Sequence, residues 1–170
     1  METLISADAI AQRVREIADD IRRDHPDGVH LICVLKGAFV FTADLARAIG
    51  ERTTIDFMAL SSYGDGSVSS GQVQVLKDLS TGIEGRDVVI VEDIVDTGLT
   101  LTYLQSILRA RSPRSLRIAC LLSKPSRRKV AIDVDYIGFS IEDRFVVGYG
   151  LDYAEQHRTL PFIGVLQDLP

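Results

Sequence analysis

The chain has 170 residues, a length that suits one domain with enough buried surface for a hydrophobic core. Its composition, 46% hydrophobic and 25% charged, is that of a soluble globular protein, and no apolar run reaches the roughly 20 residues of a membrane-spanning helix. The net charge of -5 argues against general attraction to nucleic acid, so any phosphate ligand must be held by local geometry.

The N-terminal segment and the cysteines indicate the compartment. The segment lacks the basic start and continuous apolar stretch of a secretion signal, and we expect a cytoplasmic protein. Cys33 and Cys120 lie inside predicted buried strands and form neither a metal motif nor a disulfide framework, so we assign them no chemistry. His25, His30 and His157 have no second ligand at metal-binding spacing and are interpreted as structural.

The first half of the chain predicts helices and strands in alternation. After Ser6, a candidate N-cap, apolar residues recur at helical spacing until the turn HPDG at 25–28. The apolar run over 29–35 is typical of a strand buried on both faces, and a second helical stretch follows it. Two more strands are predicted at 53–60 and 72–79, on either side of the serine-rich and glycine-rich segment SSYGDGSVSSG.

The second half continues the same alternation. The strand RDVVIVE leads into a helix whose apolar face is set by Leu101, Leu104 and Leu108, and Pro113 ends that helix. Further strands are predicted at 115–123, 134–140, 144–150 and within TLPFIGVL. Alternating strands and helices predict an α/β fold with a mainly parallel sheet covered on both faces. Ligands of such sheets bind beyond the carboxyl ends of the strands.

The stretch VVIVEDIVDTGLT places Glu92, Asp93 and Asp96 after a buried strand. A buried strand has no structural need of three carboxylates, which must be hydrated, hydrogen-bonded or matched with a cation. The small residues that follow stand where a strand meets a helix, so their backbone N–H groups and hydroxyls predict an anion cradle. The cradle residues are Thr97, Gly98, Leu99 and Thr100.

Carboxylates beside a phosphate cradle would repel a bare polyphosphate unless Mg²⁺ or sugar hydroxyls mediate. A phosphorylated sugar satisfies both features. Its 5'-phosphate would occupy the cradle, its hydroxyls would face Glu92 and Asp93, and Asp96 would lie near the reacting centre as a base or cation stabiliser. The alternative is a capped helix in which Asp96 or Thr97 satisfies free N–H groups and the acids are solvated.

The motif resembles the signature for 5-phosphoribosyl 1-pyrophosphate (PRPP) in type I phosphoribosyltransferases. VLKGAF, SSYGDGSVSSGQV, VEDIVDTGLTL, LLSKP and FVVGYGLDY follow in the order of the bacterial hypoxanthine-guanine members of that family. The resemblance implies a mainly parallel twisted sheet flanked by helices in one domain over 1–170, with a small hood from the terminal segments over the active site. It also implies a mobile flap at about 61–71 that brings Ser62 and Tyr63 into the closed site, where a plain hairpin loop is the alternative.

The resemblance further implies residue roles around PRPP. Glu92 and Asp93 hold the ribose hydroxyls, Asp96 is the general base for the purine N7 proton, and residues 97–100 hold the 5'-phosphate. The implied pyrophosphate-binding residues are Leu35, Lys36, Gly37 and Arg158, with a cis peptide bond before the lysine. The implied Mg²⁺ ligands are Glu92, Asp93 and Asp152. For Lys36 and Arg158 the alternative is an exposed surface position, which is usual for both residue types.

The resemblance also implies a base pocket. Lys124 addresses the purine 6-oxo group, Phe145 stacks on the base, and the backbone of Val146 meets its edge, with Asp152 close by. Without the resemblance, Phe145 would be interpreted as a core residue, as most strand aromatics are. His157 stands where the family pattern has an aromatic residue.

These features imply a Mg²⁺-dependent purine salvage transferase that acts on PRPP and hypoxanthine or guanine, assembles as a dimer or tetramer, and has no nucleic-acid or membrane partner. A xanthine-preferring enzyme is one alternative. An aspartyl-phosphate phosphatase is another, although its D-x-D motif differs from the spacing of Asp93 and Asp96. An RNA-binding regulator is the third, and would use the basic cluster KPSRRK at 124–129.

Overall fold

The computed structural model describes residues 1–62 and 73–167, in which strands and helices alternate. The first half contains β1 (Glu2–Ile5), α1 (Ala7–Asp24), β2 (Val29–Leu35), α2 (Phe39–Ile49), β3 (Thr53–Ser62) and β4 (Val73–Lys77). The second half contains β5 (Asp87–Val95), α3 (Leu99–Arg109), β6 (Ser115–Ser123), a 3₁₀ turn (Pro125–Arg127), β7 (Tyr136–Ser140), β8 (Val146–Val147) and β9 (Ile163–Val165).

A six-stranded sheet in the order β4-β3-β2-β5-β6-β7 forms the centre of the molecule. Only β4 runs antiparallel to its neighbour, so the prediction of a mainly parallel α/β sheet is confirmed. The strand order reverses at β2 and β5, which pair in parallel from His30↔Val88 to Cys33↔Val91. Their carboxyl ends therefore open a crevice at one edge of the sheet, the usual place for a ligand.

Helices cover both faces of this sheet. Neighbouring strand residues point to opposite faces, so Leu31 packs in the core with α1 and α2, whereas Ile32 packs in the core with α3. Helix α1 begins as predicted at Ser6, whose hydroxyl accepts a hydrogen bond from the N–H of Ala9 at 3.1 Å. Fully buried apolar strands explain why the sequence pattern in β2, β5 and β6 is continuous rather than alternating.

A second sheet of three strands, in the order β1-β9-β8, joins the two terminal segments, and we call this sheet together with the connection between β8 and β9 the hood. Strand β1 was not predicted from the sequence. It pairs antiparallel with β9, from Glu2↔Val165 to Ile5↔Ile163, and this long-range pairing leaves no local periodic signal over four residues. The hood therefore ties the start of the described chain to its end.

Two predicted strand boundaries were wrong. The strand predicted at 144–150 is reduced to β8, because Gly148, Tyr149 and Gly150 have positive φ values of 100°, 49° and 100° that no strand accommodates. Strand β5 instead extends past the predicted RDVVIVE, because Val95 still pairs with Ser123 of β6. The acid motif therefore starts inside the strand rather than after it.

Cys33 and Cys120 are buried, and neither forms a disulfide, as predicted. Burial raises the pKa of the Cys120 thiol to about 12, and it also raises the pKa of Cys33. Both thiols are therefore protonated and inert at neutral pH. No helix in the described ranges combines the length and apolar character needed to cross a membrane.

Asp56 in β3 is a buried carboxylate, 5% exposed, that fixes the segment after β4. It accepts hydrogen bonds from the backbone N–H groups of Phe57 at 2.8 Å, Ser80 at 2.8 Å and Thr81 at 3.1 Å. Burial alone would raise the pKa of Asp56, but these hydrogen bonds outweigh burial and lower the pKa below its ordinary value of 3.8. The folded protein therefore favours the ionised form.

Asp56→Ala is expected to lower the free energy of unfolding by about 2 to 4 kcal/mol, since each N–H group left without an acceptor costs about 1 to 3 kcal/mol. Urea denaturation measures the difference. Because the folded pKa is depressed, the stabilisation is present above pH 3.8 and is lost as the pH falls through the folded pKa. Asp133→Ala, which removes an exposed carboxylate, is the control. Equal losses in both variants would contradict this account.

Candidate active site

The acid motif lies at the carboxyl end of β5, where the strand order reverses. Glu92 and Asp93 are partly buried residues of the strand, Asp96 follows its end, and Gly98 starts the turn into α3 with a φ of 82°. A side chain at Gly98 would contact Val130 and be strained by that φ value. The structure therefore brings the predicted carboxylates and the start of the helix together.

The start of α3 has backbone donors available for an anion. Asp96 accepts a hydrogen bond from the N–H of Thr97 at 2.6 Å, and the Thr97 hydroxyl accepts one from Leu99 at 3.3 Å. The side chains of Asp96 and Thr97 thus satisfy two backbone N–H groups, as the capped-helix alternative predicts. The N–H groups of Gly98 and Thr100 nevertheless have no acceptor among the described residues. These donors line a small cavity of about 50 Å³ with Glu92 and Asp96.

Burial and mutual repulsion shape the electrostatics of the carboxylate pair. Burial raises the pKa of Glu92 well above its ordinary value, and the charge of Asp93 raises it further. Burial likewise raises the pKa of Asp93 to about 6, against the opposing effects of the Ile94 N–H and the charge of Arg158. The pair therefore favours a ligand that supplies hydroxyl donors or positive charge.

The donor set is compatible with Mg²⁺. Carboxylate oxygens are the ligands that this cation prefers, and Mg²⁺ in phosphate-transferring sites uses one or two carboxylates completed by substrate oxygens and water. Within 1–62 and 73–167, no group of three or more His, Cys, Asp or Glu side chains is arranged to hold a metal ion without such help. The predicted metal ligands therefore stay a prediction, in which oxygens of the substrate complete the coordination of Mg²⁺. These ligands are Glu92, Asp93 and Asp152.

The loop after β2 contacts the acid motif directly. The peptide bond between Leu35 and Lys36 is cis, as the resemblance implies. A Cβ atom at Gly37 would overlap the Asp93 carboxylate, and one at Gly150 would overlap the carbonyl oxygen of Gly37. The loop is therefore held between β5 and the hood by contacts that only glycine permits.

Lys36 lies at the open side of this loop. Its Nζ is 3.4 Å from Oε2 of Glu155, and both side chains are more than two-thirds exposed. Ion pairs at such exposure contribute little to stability. Lys36 is therefore an exposed lysine, as the alternative predicts, and its side chain is also accessible to a ligand.

Arg158 connects the hood to the carboxylates. Its Nη1 donates to the carbonyl oxygen of Gly150 at 2.8 Å, and its Nη2 is 3.3 Å from Oδ1 of Asp152. Its side chain is only 16% exposed, so the alternative of a surface arginine is wrong. Its positive charge lowers the pKa of Asp93, which places Arg158 and Asp152 on the same side of the crevice as the acid motif.

The predicted base-binding residues lie at the end of β6 and at the start of β8. Lys124 follows β6, its side chain is 12% exposed, and its Nζ is 3.5 Å from Oδ1 of Asp143. Phe145 is 42% exposed and packs edge-to-face on Tyr153, with ring centroids 5.7 Å apart, so the core alternative for Phe145 is wrong. Val146 lies in β8, an edge strand of the hood.

The basic cluster KPSRRK contains two arginines that the sequence did not place near the acids. Arg127 Nη1 is 3.2 Å from Oδ2 of Asp143, and its Nε is 3.8 Å from Oδ2 of Asp96. Arg128 Nη1 donates to the carbonyl oxygens of Val95 and Asp96, both at 2.8 Å. The sequence signal for these contacts was the basic run directly after β6, the strand that pairs in parallel with β5. These contacts leave little of the cluster free for RNA.

The predicted flap lies almost entirely outside the described residues. Ser62 is the last residue of β3, and Tyr63 is outside the described part of the chain. Their predicted positions in a closed site stay predictions.

Comparison with known proteins identifies the family of the chain. The model of the phosphoribosyl transferase domain matches residues 2–154. The chain is 50% identical over 167 residues to the hypoxanthine-guanine phosphoribosyltransferase of Bacillus subtilis, covering 98% of this chain and 93% of that protein. It is also 47% identical over 167 residues to the bifunctional protein TilS/HprT of Listeria innocua, and here it spans 98% of this chain but 26% of that protein.

A solved structure has the same fold over the full length. The crystal structure of a hypoxanthine-guanine phosphoribosyltransferase from Bacillus anthracis, with a HEPES molecule in its active site, matches with a TM-score of 0.94. The two sequences are 46% identical, and the match covers 98% of each chain. The family model, the sequence identity and the shared fold agree, and the chain belongs to the phosphoribosyltransferase family.

Proposed function

We propose that this protein is a purine salvage transferase that joins hypoxanthine or guanine to PRPP, releasing pyrophosphate and forming inosine or guanosine monophosphate. The observation that carries the proposal is that Gly98 and Thr100, whose N–H groups have no acceptor among the described residues, line one cavity with Glu92 and Asp96. The names of the relatives, which match nearly the whole chain, support the choice of 6-oxopurine substrates.

The phosphoribosyl group would bind across the carboxyl end of β5. Its 5'-phosphate would accept hydrogen bonds from the start of α3, where the helix dipole is positive. Its ribose hydroxyls would donate to Glu92 and Asp93, and these hydrogen bonds would offset the burial and the repulsion that raise the pKa of both carboxyl groups. The start of α3 and the carboxylate pair therefore match the phosphate and the hydroxyls of one ligand.

Glu92, Asp93 and Asp152 would hold Mg²⁺ jointly with oxygens of PRPP, and the cation would neutralise charge on the leaving pyrophosphate. The chain also contributes its own positive charges. Lys36 and Arg158 lie beside the same carboxylate, with Lys36 Nζ 3.4 Å from Oε2 of Glu155 and Arg158 Nη2 3.3 Å from its Oε1, and the pyrophosphate would be held next to them. Both would stabilise the negative charge that develops on it.

The reaction forms a bond between the purine and C1' of the ribose and breaks the bond from C1' to the pyrophosphate oxygen. Positive charge grows on the ribose as the pyrophosphate leaves, and Asp96 accepts the proton from N7 of the purine. The Nε of Arg127 lies 3.8 Å from Oδ2 of Asp96 and gives this carboxylate a positively charged neighbour. The predicted flap, with Ser62 and Tyr63, would exclude water from the cationic sugar.

The base would stack on the exposed face of Phe145 and meet Lys124 with its 6-oxo group. The backbone of Val146 would contact its edge. An ammonium group only donates hydrogen bonds. It can therefore donate to a carbonyl oxygen at C6, but it cannot pair with the amino group that adenine has there. Groups at C2 distinguish hypoxanthine, guanine and xanthine, and a xanthine-preferring enzyme is the competing assignment.

We further propose that the chain forms one domain and assembles as a dimer or tetramer in the cytoplasm. Exposed apolar side chains on α2, β3 and β4 support a subunit interface, and they are Phe39, Ile55, Phe57 and Leu76. The two buried, unpaired thiols support a reducing compartment. The acidic net charge of -5 and the internal contacts of KPSRRK weigh against a nucleic-acid partner.

The assay that tests the proposal measures pyrophosphate release with PRPP, Mg²⁺ and each of five nucleobases. Release with hypoxanthine or guanine, and little with adenine, uracil or cytosine, is expected. A preference for xanthine would select the competing assignment. Absence of release with every base, in a protein that is folded, would refute a transferase.

Asp96→Asn is expected to lower kcat about 10² to 10⁴-fold, because it removes the proton acceptor while preserving the shape of the side chain. The affinity for PRPP should change little. Steady-state kinetics at saturating PRPP measure the effect, with Asp133→Asn, at an exposed acid that does not line the cavity, as the control. A kcat within about threefold of wild type would remove Asp96 from the proposed proton transfer.

Thr100→Val is expected to weaken binding of the nucleotide product by about 1 to 2 kcal/mol, since one hydroxyl donor is lost and the backbone N–H groups stay. Calorimetric titration with guanosine monophosphate measures the change. Thr102→Val is the matched control, because the Thr102 hydroxyl donates to the carbonyl oxygen of Gly98 rather than lining the cavity. Unchanged affinity in Thr100→Val would place the phosphate elsewhere.

Lys124→Ala is expected to remove most activity with hypoxanthine and to narrow the ratio of kcat/KM between hypoxanthine and adenine. A site that must hydrogen-bond one group rejects a mismatched analogue by about 10⁴ to 10⁵ in kcat/KM, and this discrimination should fall without the ammonium. Lys129→Ala, at an exposed lysine of the same loop, is the control. The same ratio in wild type and Lys124→Ala would mean that the base binds elsewhere.

A further inference from the structure

A second polar cleft lies at the edge of the six-stranded sheet opposite the candidate active site. It has a volume of about 240 Å³ and is formed where β2, β3, β5 and β6 begin. Its basic lining residues are His30, Arg52, Arg86 and Arg114, and its acidic ones are Asp27 and Asp87. None of them has a place in the proposed transfer reaction, so their grouping calls for a separate explanation.

One ion pair joins the acidic and the basic residues that line the cleft. Arg114 donates to Asp87, with Nε 3.1 Å from Oδ1, and this contact together with the charge of Asp27 raises the pKa of Arg114. Neither Arg52 nor Arg86 forms an ion pair anywhere in the described ranges 1–62 and 73–167. The cleft therefore keeps two guanidinium groups without an ion-pair partner in the described chain, and its three arginines exceed its two aspartates by one positive charge.

Side chains at the floor of the cleft hold Arg86 in place. Its Nη2 donates to Oγ1 of Thr54 at 2.8 Å, and the same oxygen is 2.8 Å from Nδ1 of His30. His30 is 3% exposed, and its Nε2 has no hydrogen-bond partner among the described residues. Burial lowers the pKa of His30, and the charge of Arg86 lowers it further, so the imidazole is neutral. Positive charge in the cleft is thus supplied by the arginines.

Arg52 reaches the cleft from the start of β3. Its Nη1 donates to the carbonyl oxygen of Pro26 at 3.2 Å, which fixes one of the five N–H groups of the guanidinium. A side chain on Gly28 would overlap the backbone of Arg52, so glycine allows the turn before β2 to pack against it. Arg52 and Arg86 are therefore each anchored by one hydrogen bond, and each guanidinium has further N–H groups that can donate to a ligand.

We propose that this cleft binds a small phosphate anion, either inorganic phosphate or pyrophosphate, through the guanidinium groups of Arg52 and Arg86. The planar guanidinium fork matches phosphate oxygens better than any other cationic side chain does. The volume is below the roughly 300 to 1,000 Å³ of pockets for larger organic ligands, which favours a small anion. A local excess of positive charge in a chain of net charge -5 makes the site selective for anions.

The test must separate this cleft from the phosphate cradle of the candidate active site. Backbone amide signals in nuclear magnetic resonance spectra of the full chain report each place independently. Gly28, Gly85 and Arg86 report the cleft, whereas Gly98 and Thr100 report the cradle. Inorganic phosphate and pyrophosphate are titrated separately, and the anion with the lower dissociation constant at the cleft signals is the assigned ligand.

Saturable shifts of the cleft signals are expected in the wild-type protein. Arg86→Gln and Arg52→Gln should each raise the dissociation constant about tenfold at the cleft, the effect of losing one charge-assisted contact. The cradle signals should respond as in wild type. Arg109→Gln, which removes an exposed arginine of α3 that forms no ion pair in the described chain, is the matched control.

Two results would overturn the proposal. One is a cleft whose signals do not shift with either anion, and the other is a dissociation constant that is the same in wild type and in both cleft variants. If Arg86→Gln does not fold, Arg52→Gln decides the question alone, because the Arg52 side chain makes one hydrogen bond within the described ranges. The response of the cradle signals tests the proposed transfer reaction and leaves this inference untouched.

Discussion

Repulsion among the carboxylates at the end of β5 is the constraint around which the crevice is built. Burial raises the pKa of Glu92 and of Asp93, and the charges of neighbouring carboxylates raise both further, so the ionised form of each group is disfavoured. The chain brings positive groups toward them from separate elements. Arg158 comes from the hood, Arg127 from the turn after β6, and the N-terminus of α3 faces the same cavity. A ligand whose hydroxyls donate to the carboxylates and whose phosphate accepts from the start of α3 would satisfy both groups.

Close backbone contacts hold the same groups in register. Gly37 leaves room for the Asp93 carboxylate, and Gly150 leaves room for the carbonyl oxygen of Gly37. The core sheet, the loop after β2 and the hood therefore meet without intervening side chains. Because interiors are close-packed, a single added methyl group at either glycine would displace the acid or the loop. Positioning of the acids thus depends on the hood as much as on β5.

The sequence was sufficient for the central sheet and the acid motif because their signals are local. Buried parallel strands are continuous apolar runs, Ser6 marks a helix start, and acids followed by T-G-x-T mark a ligand site. Strand β1 and the contacts of Arg127 were not predictable in this way. Both depend on residues far apart in the chain, β1 on its pairing with β9 and Arg127 on the placement of β6 beside β5.

The central claim is that the carboxyl end of β5 holds the phosphoribosyl group. A crystal structure of the protein with guanosine monophosphate tests it most directly. The account predicts phosphate oxygens within hydrogen-bonding distance of the N–H groups of Gly98 and Thr100, and ribose hydroxyls against Glu92 and Asp93. A phosphate bound anywhere else, with the start of α3 occupied only by water, would contradict it.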